Sequence, residues 1–113
     1  IPSGVELFPS AARVEGSATL TGTGDTEIIA APGAGIRNYV KEASGSNTSA
    51  TGVRVDIKDG TTVKRSFFVA ASGGGFAVIF SPAIKLTANT ALNMALSAAV
   101  TDVRVGASGY TAP

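Results

Sequence analysis

The chain has 113 residues, a length that suits one domain, and nine basic residues stand against eight acidic. Its lack of His, Cys and Trp excludes Ser-His-Asp and Cys-His nucleophilic machinery, imidazole or thiolate metal sites and any disulfide framework. The even charge leaves no electrostatic footprint for nucleic acid or an anionic membrane.

Residues 1–16 read as an extended N-terminal arm. Pro2 and Pro9 hold their predecessors extended around Val5, Leu7 and Phe8. Ser3 and Glu6 have the spacing of a helix capping box, but Pro9 follows too early for a helix. No basic stretch precedes an apolar core, so this does not read as an intact signal peptide.

The rest, residues 17–113, reads as one all-β domain. Residues 18–21 and 26–30 are short strands about the turn at 22–25, and a second turn at 32–35 leads to a strand at 36–42. Residues 44–49 read as a polar loop tip, where Asn47-Thr-Ser49 has the form of a glycosylation acceptor that arises easily by chance in so Ser- and Thr-rich a chain. Val53, Val55 and Ile57 alternate with Arg54, Asp56 and Lys58, the pattern of a strand with one wet face. Asp59-Gly60 reads as the centre of a tight hairpin turn.

The returning strand, 62–70, puts Val63, Phe67 and Val69 on one face and Phe68 on the other with Lys64 and Ser66. Residues 76–80, containing Phe76 and Phe80, are apolar on both faces, which suits a central strand or an interface, and Pro82 ends the run. Residues 88–99 fit helical spacing through Ala88, Ala91, Leu92, Ala95, Leu96 and Ala99, and strand alternation through Leu92, Met94, Leu96 and Ala98. The regular strand spacing on either side favours strand. The last strand carries Val103 and Val105 inward, with Gly106 and Gly109 allowing a bulge before Tyr110. About eight short strands at regular spacing point to an antiparallel β-sandwich or jelly roll.

No motif brings chemistry with it. The glycines at 33–35 and 73–75 lack the residues of a phosphate loop or a dinucleotide fingerprint. Asp56 and Asp59 read as solvated charge and a turn residue rather than a glycosidase pair, and their spacing is not that of a calcium loop. No metal or cofactor is expected, and no enzyme activity. Tyr39, Phe68 and Tyr110 are the aromatics that could be exposed, for which packing or subunit contact is the simpler use than sugar binding. Lys64-Arg65 is the one adjacent basic pair, too little for nucleic acid. The apolar stretch at 91–100 is too short to span a membrane.

From about Gly33 to Tyr110 the chain resembles small all-β domains of tailed-bacteriophage virion proteins, of the capsid decoration or cement type. The residues that carry the likeness are the KDGT hairpin at 58–61, GGGFAVIF at 73–80, TANTALN at 87–93, LSAAVTDVRV at 96–105 and the Gly-Tyr at 109–110. The resemblance implies a jelly-roll or sandwich structural protein on the capsid exterior, partnered by itself as a homotrimer and by the major capsid protein. A head-fibre or tail-appendage module that contacts the host surface is the alternative. Candidate subunit or capsid contacts are Val5, Leu7, Phe8, Phe68, Phe76 and Phe80. The arm is expected to reach a neighbour, or else to fold back over its own sandwich.

Overall fold

A computed structural model of the protein describes residues 13–113. Val5, Leu7 and Phe8, and with them the expectation for the arm, lie outside the described residues. Among the described residues there are eight strands and no helix: β1 (Arg13–Leu20), β2 (Thr26–Ile29), β3 (Arg37–Asn47), β4 (Val53–Asp59), β5 (Thr62–Val69), β6 (Gly74–Lys85), β7 (Leu92–Leu96) and β8 (Val103–Ala112).

The pairing is nested. β1 pairs with β8, β2 with β7, β3 with β6 and β4 with β5, all antiparallel. The chain is thus one long hairpin, and rolling it up brings β3 against β8 and β4 against β7. Two four-stranded sheets result, in the orders β1-β8-β3-β6 and β2-β7-β4-β5. This is a β-sandwich with jelly-roll topology. Each sheet has two edges, so β1 lies near β2 on one side of the sandwich and β5 near β6 on the other.

The core lies between the sheets. From the first sheet come Leu20, Val40, Phe80, Ile84, Val103 and Val105, and from the second Ile29, Val53, Val55, Ile57, Val69, Leu92, Met94 and Leu96. In β4 the apolar alternation produces this directly, Val53, Val55 and Ile57 being at most 2% exposed. Residues 92–96 are a strand: Leu92, Met94 and Leu96 point inward with its period of two, and Ala95 is covered as well.

Several boundaries differ from those the sequence suggests. Residues 13–16 belong to the sheet, because β1 pairs with β8 from Arg13 onward, so the sandwich starts earlier than residue 17. The polar stretch 44–47 continues β3, its backbone held by β6 and β8 on both sides. Pro82 does not end β6. It follows a cis peptide on an edge strand, where the β3 ladder passes from Ile79 to Ile84 and no bond from its nitrogen is needed. β6 is therefore an edge rather than a central strand.

The β4–β5 turn is centred one residue later than expected, on Gly60-Thr61, with Asp59 opposite Thr62. Only Gly60 takes positive φ, 61°, the demand of a type II′ turn on its first central residue. The bulge beside Gly109 lies on β3, where Lys41 is skipped, and the β1–β8 register is unbroken.

Candidate interaction surfaces

Asp56 and Asp59 are three residues apart on one strand, so their side chains leave on opposite faces and cannot work as a pair. Neither is solvated, contrary to the sequence reading, since each is 8% exposed. Asp56 is covered because Arg54 reaches along its own strand to it, Nε to Oδ1 at 2.8 Å, and Ser66 of β5 donates to the same oxygen at 2.7 Å. Burial acts to raise the Asp56 carboxyl, but these hydrogen bonds and the charges of Arg54 and Lys58 outweigh it and hold the group below its ordinary range. Asp59 accepts from the Thr87 N–H at 3.1 Å and from Thr87 Oγ1 at 2.8 Å, tying the hairpin to the segment after β6. Both carboxylates are structural ties.

Asn47 is fully buried and committed. Its Nδ2 donates to the carbonyls of Thr51 and Val69, and its Oδ1 accepts from the Ser49 N–H. That arrangement closes the 48–51 loop and commits both hydrogens of the Asn47 amide to backbone carbonyls. At the same end of the sandwich Thr48 Oγ1 donates to Asp102 at 2.6 Å. That bond, with the charge of Arg104, holds the Asp102 carboxyl below its usual range. Among the described residues no group of His, Cys, Asp and Glu is placed to hold a metal ion. No helix among them is long and apolar enough to cross a membrane.

The aromatic side chains among the described residues occupy four settings. Tyr39 and Tyr110 are cross-strand partners on the outer face of the first sheet and stack with centroids 5.1 Å apart and planes 6° from parallel. The same row continues to Arg13 on β1 and Lys85 on β6. Phe76 stacks on Phe67 of β5 at 4.7 Å and 7°, half-buried between the two sheet edges. Phe80, expected as a contact residue, is a core side chain at 8% exposure, because positions 76, 78 and 80 share the inward face of β6. Phe76 likewise faces inward and packs against the core.

Phe68 remains on the surface as expected. It is 69% exposed, opposite Arg54 on the outer face of the second sheet, with its ring over Gly52. Two further exposed hydrophobics accompany it among the described residues: Ile79, 72%, and Val63, 48%. Ile79 falls between the inward Val78 and Phe80, so the strand's period of two turns it outward. Val63 was not foreseeable as exposed. The β4–β5 register passes from Arg65 to Val63 between Ile57 and Lys58, so the bulge at Lys64 turns Val63 to the wet face beside Lys58.

These three residues lie on the two neighbouring edge strands β5 and β6, which also carry Lys64, Arg65 and Lys85. A groove of about 430 Å³ runs between Lys64 and Arg65 on one bank and residues 79–85 on the other. Comparison with protein-family models, with curated proteins and with solved structures finds no match.

Proposed function

We propose that the protein is a structural component of a tailed-phage virion that decorates and stabilises the capsid by oligomerising on its exterior, with itself, as a homotrimer, and the major capsid protein as partners. The observation that carries the reading is the exposure of Phe68 and Val63 on β5 and of Ile79 on the adjoining edge strand β6, the exposed large apolar side chains among the described residues. A domain working alone gains nothing from apolar side chains placed in water on adjacent edge strands, whereas a subunit interface buries them. The resemblance between residues 33 and 110 and virion decoration domains supplies the setting. Small capsid-binding subunits need complementary surfaces rather than a reaction centre, and the buried carboxylates serve as ties, in keeping with that role.

The test is reconstitution. Purified protein is mixed with phage particles lacking it, and bound copies are located in a map of the particle. The expected result is density at many equivalent exterior positions and a particle more resistant to heat. Density confined to a tail or head-fibre vertex would place the protein among appendages, and no binding at all would remove the reading.

A further inference from the structure

Gly16 and Ile28 bring β1 and β2 into contact, and toward Arg13 the same side of the sandwich opens into a recess of about 560 Å³. Its lining is apolar at Val14 and along residues 28–32, and polar at Arg13, Glu15, Asn38 and Thr111. Both strands are sheet edges, and Ala30 and Ala31 beside them are exposed. Asn38 is fully buried, and its Nδ2 donates to the carbonyls of Ala30 and Thr90. Its Oδ1 is the only buried side-chain polar atom among the described residues without a hydrogen-bond partner there. The two donated bonds fix the direction of the amide, since turning it over would set its oxygen against two carbonyls. An unmet buried acceptor keeps its full desolvation cost. Residues 13–113 thus leave a donor to be supplied at this end of the sandwich.

We propose that the N-terminal segment, residues 1–12, folds back over the recess of its own chain, setting Val5, Leu7 and Phe8 on the apolar lining and bringing a backbone N–H to Asn38 Oδ1. The segment joins the sandwich at Arg13, on the rim of the recess. The five residues from Phe8 to Arg13 span up to about 17 Å when extended. Such a short tether gives the segment an effective concentration at the recess that no separate chain matches, which selects it over a second copy. Val5, Leu7 and Phe8 gain by leaving water, and the recess is the apolar surface at which their tether ends. Every residue of the segment other than Pro2 and Pro9 carries a backbone N–H, the kind of donor that Asn38 lacks. The contact does not depend on the virion reading, and it leaves the β5–β6 side free for partners.

The sequence offers clean reporters, having neither Trp nor Cys. In full-length Phe8→Trp the single tryptophan is expected to emit to the blue of free tryptophan and to resist quenching by acrylamide, with no change on dilution. Ala31→Arg, at an exposed position in the recess, is expected to move that emission to the red. Thr19→Arg, exposed on β1 outside the recess, is expected to leave it in place. Circular dichroism melts establish that both variants are folded. In a separate chain carrying Phe8→Cys and Ala31→Cys, oxidised glutathione is expected to produce an intrachain disulfide. A tryptophan as exposed as the free amino acid, a blue emission that survives Ala31→Arg, or an equal red shift with Thr19→Arg overturns the contact. A disulfide-linked dimer in place of the intrachain bond overturns it too, by assigning the recess to the segment of a second copy. Particle binding is read separately, so each of these outcomes leaves the proposed function standing.

Discussion

At the β1–β2 side the sheets meet backbone to backbone, whereas at the β5–β6 side they are held apart by stacked rings. Gly16 of β1 lies so close to β2 that an added Cβ would overlap the Ile28 carbonyl oxygen. Across the sandwich, Phe67 and Phe76 fill the corresponding space. A side closed by the absence of a side chain tolerates no added atom there. A side closed by rings can keep its interior filled while its outward positions vary, and Phe68, Ile79 and Val63 occupy such positions. The difference separates a side whose residues are constrained by folding from one whose residues are free to serve contact.

The largest expected effect breaks the interior of the β5–β6 side. Phe80→Ala empties a core position and should cost about 3–5 kcal/mol, read as a lowered midpoint in denaturant titration. A loss below about 1 kcal/mol would mean that Phe80 is not the core residue its burial indicates.

Next comes the β1–β2 side. Gly16→Ala adds one methyl against backbone that cannot rotate away, so a cost of about 3 kcal/mol and a melting temperature lowered by roughly 10 °C or more are expected. Should the variant melt with the wild type, the close approach of β1 and β2 does not exist in solution.

A smaller effect belongs to Asp56, which ties the edge strand β5 to β4 through Ser66. Its folded carboxyl sits below the ordinary value of 3.8. The unfolded chain therefore binds the proton first on acidification, so the contribution of Asp56 is complete above that value and is lost as pH falls below it and through the lower folded value. Denaturant titrations at neutral and strongly acidic pH should show a shallower decline for Asp56→Asn than for the wild type, with the variant already weaker at neutral pH. Parallel declines would remove Asp56 as a source of the acid sensitivity.

The smallest stability effect is expected at Phe68. Phe68→Ala should change folding free energy by no more than about 0.5 kcal/mol, as surface positions do, while reducing self-association. A loss comparable to that of Phe80→Ala would make Phe68 a folding residue and erase the contrast between inward and outward positions on this side.

Much of the fold was legible because a strand shows its burial every second residue. Val53, Val55 and Ile57 announced β4 without help, and the turn glycines separated the strands. The candidate surface was legible in part: Phe68 broke the polar alternation of its strand, whereas the run 76–80 read as apolar on both faces and only the structure turned Ile79 outward. Phe80 was misread because an edge strand and a central strand can carry the same apolar run, and only the neighbours decide which faces are covered. Asp56 and Asp59 were misread for a related reason, as their partners Ser66 and Thr87 come from other parts of the chain.

Alternation and turn chemistry are local, and by themselves they determined that this protein is all-β, that about eight strands follow one another, and which residues of β4 and β8 point inward. Partnership is not local. Which strands became edges, where Lys41 and Lys64 bulged out of register, that Val63 turned to water and that Gly16 met Ile28 were decided only when the long hairpin rolled into two sheets, since each depends on atoms brought together from distant parts of the sequence.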